Sequence, residues 1–363
     1  MAHELQERYS TLVLAKMRKE NVLKDGIVFN NDYEGNPKSG SVKIPVRDEE
    51  VAVSDYDKAN GITASNSSTS YITLIIDKDK GVNEIIDGYE AAAVPDNLVA
   101  DRLDSAGYSL AQTIDNDGAS VLLAGGMVYN AASVDSSSAY DLIVEVRKEL
   151  TKANVPQSGR YLLATPDFYA LLLKDKDHFV GASALGDSVK QSGALGRIAG
   201  FTVYEWNDDT ANLQFIAGHP KFATRAKEWS VPVRVEDLKD GKHIGASWVN
   251  GRMVYGHKVL RASAIRPVYA PGSLTASLAK GSSSGTCIAT ISAGNTGTTY
   301  AYKVNPSARA SYNQTSSAYG GTSLTSGTTE ISVSAGDIIE IVNFSSSKAV
   351  AVTYITADSS VIK

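Results

Sequence analysis

Few side chains in this sequence could carry chemistry, and they are scattered. There are five histidines, His3, His178, His219, His243 and His257. None sits in an H-E-x-x-H arrangement or another metal-ligand spacing, in which neighbouring ligands share one face of an element. The single cysteine, Cys287, excludes an intrachain disulfide framework. It lies in GTCIATIS, a β-type run, and reads as a strand residue rather than a nucleophile. No G-x-S-x-G elbow or phosphate-binding Walker loop occurs, and Gly193, Gly196 and Gly200 do not have the spacing of a dinucleotide fingerprint. The densest charge is Arg47, Asp48, Glu49, Glu50, followed by Asp55 and Asp57. With no paired base or nearby imidazole, these acids suit a solvated surface that meets basic groups on another molecule. Arg147 and Lys148 are candidates for those basic groups. No cofactor or metal is implied, and an enzyme is the least supported reading.

Composition narrows the class further. The chain has 363 residues, 43% hydrophobic and 21% charged, as in a globular protein of two or three domains. A net charge of −5 argues against a dedicated nucleic-acid binder. No apolar run approaches the roughly 20 residues of a membrane span. The start, MAHELQERYS, lacks the apolar core of a signal peptide, which fits synthesis in the cytoplasm.

The element that must position everything else runs from Asp96 to about Leu123. Val99, Leu103, Ala106, Leu110 and Ile114 recur at helical spacing and form one apolar stripe. Pro95 and Asp96 suit the helix start, and Gly118 after the polar run Asp115-Asn116-Asp117 is expected to bend or fray its last turns. Ahead of it, Leu5, Tyr9, Leu12 and Val13 share a face of an expected helix over 4–23, stopped by Asp25-Gly26. Val42, Ile44 and Val46, then Ile72, Leu74 and Ile76, alternate with polar residues as two half-buried strands. The stretch between them, residues 47–70, is far longer than the about 4–6 residues of an ordinary connection. A projecting hairpin of this kind cannot bury much of its own surface, so it is either a mobile flap or, as is favoured here, an arm completed by another subunit.

Further along, Ser138 is placed to cap a helix over 139–153 carrying Leu142, Ile143, Val146 and Leu150. RYLLA (160–164) reads as a buried strand. Thr165-Pro166-Asp167 then supplies a cap, a first-turn proline and a first-turn acid for a helix carrying Phe168, Leu171 and Leu172. Strands are expected again over 201–206 and 214–217.

The strand followed by TPDFYALLL, a glycine-punctuated loop and GALGRIAGFTVYEWND resembles the axial domain of tailed-phage major capsid proteins. Gly196, Ile198, Gly200, Phe201 and Val203 match the family's glycine turn into a Phe-x-Val strand. FIAGHPKFATRAKEWSVPVRVEDLKDGKHIGASWVNGRMVYGHKVLRASAIRP is similar to the family's returning strands, and the order of elements matches over roughly residues 1–270. The resemblance implies an α+β chain with the Hong Kong 97-like capsid fold. It further implies a homo-oligomer of pentamers and hexamers around packaged double-stranded DNA, a separate scaffolding protein and a portal. On this reading the segments are an N-terminal arm (1–30), an extended hairpin loop (31–80), a peripheral domain with the long helix (81–154), an axial domain (155–225) and return strands (226–270).

Beyond Tyr269-Ala270-Pro271-Gly272 charge is sparse, and Ser, Thr, Gly and Ala dominate. Strand-like runs at 274–278, 286–291, 299–304, 330–333, 338–342 and 350–355 suggest an all-β sandwich over 271–363. It resembles the immunoglobulin-like domains of phage structural proteins, which implies an outward position and a host surface or carbohydrate as a partner. The alternative is a surface-layer or adhesin-type binding protein in which this last domain does the work.

Overall fold

The computed structural model describes residues 16–33, 40–46, 50–51, 53–62, 69–89, 98–175, 196–239, 241–292 and 299–363. In chain order the elements begin with strands β1 (Ser41–Val46), β2 (Ser70–Ile75) and β3 (Lys78–Ile86), then helix α1 (Leu98–Gly125). β4 (Tyr129–Asn130), α2 (Ala139–Lys152), β5 (Tyr161–Ala164) and α3 (Pro166–Lys174) follow. Next are β6 (Arg197–Ile198), β7 (Phe201–Glu205), β8 (Leu213–Gly218), β9 (Ala223–Asp237), β10 (Ser247–Val259) and β11 (Ile265–Tyr269). The last stretch holds β12 (Gly272–Ser273), β13 (Ala276–Lys280), β14 (Thr286–Ile291), β15 (Thr299–Val304) and the short α4 (Ser316–Tyr319). It ends with β16 (Thr322–Leu324), β17 (Glu330–Ser332), β18 (Ile338–Ser345) and β19 (Lys348–Thr356). Among the described residues no helix is long and apolar enough to cross a membrane.

The chain divides into two compact units. The first runs up to Gly125 and includes Pro220–Ala262; the second holds Gly126–His219 and Ser263–Lys363. In the first, β3, β10 and β9 form an antiparallel sheet in that order. α1 lies on it through Ala106, Leu110, Ile114, Gly118, Ala119 and Leu122. Val249, Tyr255 and Ile86 of the sheet bury against that stripe, with Leu98, Val99 and Leu103 packed beside them.

Two expectations need correction here. Gly118 does not fray the helix, which continues to Gly125. Its lack of a side chain instead admits a neighbour: a Cβ there would stand 3.0 Å from Phe29 Cε2 and 3.3 Å from His257 Nε2. The helix expected over 4–23 is also not helical where it is described, since residues 16–24 carry no secondary structure. They lie along α1 through ion pairs, Lys16–Asp101 at 2.7 Å and Arg18–Asp104 at 2.6 Å, with the Tyr108 hydroxyl donating to the Lys19 carbonyl at 2.9 Å. Polar anchoring of this kind needs an extended chain reaching several turns of a neighbour rather than a helix of its own. The expected helix starts at residues 4 and 95–96 lie outside the described residues.

The second unit is built on a six-stranded sheet, ordered β4-β11-β8-β5-β7-β6. β5 is buried at all four positions, as its run of apolar residues requires. Thr165 caps α3, its hydroxyl accepting from Phe168 N at 3.5 Å and donating to the Gln214 carbonyl at 2.8 Å. α2 stands in this unit, not with α1, and β11 pairs with β8 and β4. The expected segments 81–154 and 226–270 are therefore each split between the units, at Gly125 and after Ala262. Ser138 begins α2 without a side-chain cap bond; its hydroxyl is bound instead to Asp135.

The C-terminal part of this unit forms two further sheets, β12-β19-β18-β15-β16 and β13-β14-β17. They enclose one core of Cys287, Ala289, Ile331, Ile339, Ile341 and Leu324 with Leu274, Val333 and Ala357. Cys287 is fully buried in β14, as the sequence pattern predicts.

Candidate subunit-contact site

β1 and β2 pair antiparallel with Val42 opposite Leu74 and Ile44 opposite Ile72. The period of two gives the pair two different faces. Ile44 and Leu74 pack on Ala226 of β9, with Val42, Ile76 and Leu260 around them. On the other face Tyr71 and Ile75 are 63% and 59% exposed. Beyond the strands the exposed apolar residues continue: Val51 is 78% exposed, Val53 97%, Tyr56 71% and Ile62 52%. This concentration of exposed apolar side chains is the feature that most needs a partner.

Residues 57–61 nevertheless form a hydrogen-bonded turn. Asp57 accepts from Ala59 N at 2.8 Å and from Asn60 Nδ2 at 2.7 Å, while Gly61 N donates to the Asp57 carbonyl at 2.8 Å. The Ala59 amide and the Asn60 side chain hold the Asp57 carboxyl below its ordinary value. Gly61 closes the turn at φ +71°, where a side chain would be strained. Of the expected contact residues, Glu50 and Asp55 are exposed in this loop, while Arg47, Asp48 and Glu49 lie outside the described residues. Arg147 is exposed on α2, and Lys148 beside it donates to Glu145 in the same helix, a bond that raises the lysine's pKa.

A second polar constellation in the first unit has no counterpart among those expectations. Arg225 of β9, with 5% of its side chain exposed, reaches Asp25 Oδ1 at 3.2 Å and Asp115 Oδ1 at 3.5 Å. Its Nε donates to His257 Nε2 at 2.8 Å, and its guanidinium stands 4.9 Å from the centre of the Phe29 ring. Lys227 adds a 2.7 Å contact to Asp25, and Leu23 N donates to Asp115 at 3.2 Å. Burial, then the Arg225 cation, lowers the His257 pKa to about 3, so the ring is neutral and accepts. Burial raises the Asp115 carboxyl despite Arg225. The cluster ties residues 22–30 to α1 and to the sheet. A pocket of about 640 Å³ opens beside it over Leu110, Ile114, Val233 and Met253. The signals for this cluster were present in the sequence. Asp115 and Asp117 fall one residue from the buried stripe, and His257 shares the alternation of Val249, Met253 and Tyr255. No group of three or more metal-ligating side chains converges among the described residues.

Residues 88–268 match a family model described as phage capsid protein. Among solved structures, one from Mycobacterium phage Che8 is similar at 27% identity and a TM-score of 0.63, covering 73% of this chain and 96% of that one. A capsid structure of the cyanophage P-SCSP1u shares the fold at 14% identity and a TM-score of 0.63, covering 74% of this chain and 93% of that one. The asymmetric unit of the bacteriophage PhiM1 mature capsid does so at 14% identity and a TM-score of 0.52, with 71% and 92% covered. None of the curated proteins compared with the chain matches it. These neighbours are covered almost completely while this chain is not, so it carries structure beyond theirs. The family match and the Che8 likeness together support a tailed-phage major capsid protein, a structural protein of the icosahedral virion shell.

Proposed function

We propose that this chain assembles into pentamers and hexamers that close into an icosahedral head around double-stranded DNA. The observation that carries the reading is the hairpin beyond Val46 and before Ser70, whose Val51, Val53, Tyr56 and Ile62 face outward. A contact between this loop and a different surface of the next copy is heterologous, and heterologous contacts close into rings when their rotation allows. The acids Asp48, Glu49, Glu50 and Asp55 set the loop's register against basic groups of the neighbour. Arg147 is the more available candidate, because Lys148 already serves Glu145. With a net charge of −5, contact with packaged DNA is weak and independent of sequence. The C-terminal β domain is read as immunoglobulin-like, facing outward toward a host surface or carbohydrate. A separate scaffolding protein and a portal complete the assembly.

Unstained electron microscopy of the expressed chain, alone and with a co-expressed scaffolding protein, tests this. Rings or closed shells are expected from the parent. Val53→Asp with Tyr56→Ser should leave the fold intact, because surface substitutions away from packed features shift stability by roughly 0.5 kcal/mol or less. The same pair should abolish shells. Normal shells from that variant would remove the hairpin from the contact. Normal shells after charge reversal at Asp48, Glu49 and Glu50 would remove the proposed ion pairs.

A further inference from the structure

We propose that the C-terminal sandwich is an internal edge guard: it closes the chain where it leaves β4, one of the two edges of the six-stranded sheet, so that this edge cannot extend by pairing with another copy. β4 is the last strand of that sheet. On its inner side Ala131 N donates to the Tyr269 carbonyl at 2.7 Å. Its outer side would present free backbone groups, and such an edge is a template for pairing between chains. Directly after β4 that line is taken: Tyr312 N donates to the Ala131 carbonyl at 2.8 Å, and Ala132 and Ser311 form an antiparallel bridge. The Tyr312 ring stacks on Tyr269 with centroids 5.4 Å apart and planes 16° from parallel.

Two further contacts cross the same junction, and a third ties their sandwich residues together. Ser133 Oγ donates to the Tyr354 hydroxyl at 3.1 Å, Arg309 Nη1 stands 3.2 Å from Asp135 Oδ2, and the Arg309 guanidinium lies 5.1 Å from the centre of the Tyr354 ring. The capping segment is held just as firmly from the sandwich side. Ala310 N donates to Glu340 Oε1 at 2.8 Å, and Tyr354 donates to the same oxygen at 2.8 Å. Asn313 N donates to the Ala349 carbonyl at 2.8 Å. A hydrogen-bonded line therefore runs from Glu340 in the sandwich core through Tyr354 to Ser133 beside the sheet edge. A domain tethered only by its linker near Ala270–Gly272 would have no reason to carry a second attachment some forty residues further on. Edge closure matters most for a chain that must pack against many copies of itself; only this purpose rests on the shell-protein reading, and the closure itself does not.

Hydrogen–deuterium exchange on the unassembled full chain tests it. In the parent, the amides of Ala131 and Tyr312 should exchange about as slowly as those of β18. In Arg309→Ala/Tyr312→Ala, exchange over 129–133 and 309–314 should rise at least about tenfold, the change expected when a local opening becomes easier. β18 should stay protected, and β-rich aggregates should form that bind thioflavin T. Tyr312→Phe, which keeps both ring and amide, should behave as the parent. If the double variant loses protection in β18 as well, Arg309→Ala alone decides the point by the same two readouts. Fast exchange at Tyr312 in the parent, or variants with unchanged exchange and no aggregation, would overturn the proposal. Absence of shells from the parent, with Ala131 and Tyr312 protected as expected, would count against the assembly reading alone.

Discussion

Each unit buries a charged group, and the two groups are treated differently. Glu340 in the sandwich is fully buried, and its carboxylate takes donors from Ala310 N, Tyr354 and Tyr319, the last at 2.9 Å. Burial, and then the carboxylate, push both tyrosines well above their ordinary pKa, so they remain donors at any ordinary pH. Arg225 in the first unit is as well enclosed but shares its charge among Asp25, Asp115 and a neutral imidazole. His257 Nδ1 has no hydrogen-bond partner among the described residues. A carboxylate ringed by uncharged donors is complete as a hydrogen-bonded site. A guanidinium that depends on a buried imidazole staying neutral is conditional on pH.

The largest effect should come from breaking the complete centre. Glu340→Ala leaves two hydroxyls and an amide without an acceptor, at a cost of about 3 kcal/mol or more. All three tryptophans lie outside the sandwich, so its unfolding is best followed by exchange at β18 or by near-ultraviolet dichroism. A loss below about 1 kcal/mol would mean the cluster is not closed.

Acid should act on the conditional centre first. The folded state holds His257 neutral down to about 3, whereas the unfolded chain takes up the proton near 6.5. The stability this confers is complete above about pH 6.5 and is lost as pH falls toward 3, by at most about 1.4 kcal/mol per pH unit. Asp115 works the other way, since its raised carboxyl binds a proton in the folded state first, and so flattens the lower part of the slope. The groups facing His257 are Arg225, Asp25, Lys78 and Lys227, with the Tyr255 and Phe29 rings against it. Denaturation midpoints for the parent and His257→Gln between pH 4 and 8 should diverge, with the variant nearly flat; parallel curves would show that His257 does not set the slope.

The difference between the centres also marks what could be read in advance. Elements with local causes were legible: the alternation of β1 and β2, the apolar run of β5, the Thr165-Pro166-Asp167 helix start and the stripe of α1 all stand in the structure. The acidic hairpin suggests a contact with another subunit, an expectation that a single chain does not test. The weak point expected at Gly118, after Asp115-Asn116-Asp117, is instead a packed position, because the groups that meet it and those acids lie far away in sequence. The bond from Arg225 to Asp25 spans 200 residues, and the one from Tyr255 to Asp117 spans 138. Periodicity reports which face is buried, not which distant charge it meets. The two- and three-residue strands β12 and β16 are too short to show alternation at all.

Packing around the conditional centre gives a smaller effect. A methyl at Gly118 must displace Phe29, which covers Arg225, so Gly118→Ala should cost about 1–2 kcal/mol despite its better helix propensity. It should also shorten the acid slope, because a shifted Phe29 admits water to His257 and brings its folded-state pKa nearer the unfolded value. A stabilised variant would mean the ring moves freely.

The smallest expected effect isolates charge from shape. Tyr255 donates to Asp117 Oδ2 at 2.8 Å and meets His257 edge-on, with centroids 5.4 Å apart. Burial first, then the hydrogen bond to this carboxylate, push the phenol well above its ordinary pKa. Asp117→Asn keeps an acceptor of the same size and removes the charge, which should lower stability by only about 0.5 kcal/mol. Its clearer signature is spectroscopic: by ultraviolet difference absorbance, one tyrosine should ionise at lower pH than in the parent. The acid slope set by His257 should be unchanged, since Asp117 acts on the phenol and not on the imidazole. If that slope moved with the tyrosine, the phenol and imidazole would belong to one coupled network, and the conditional centre would extend onto α1 as far as Asp117.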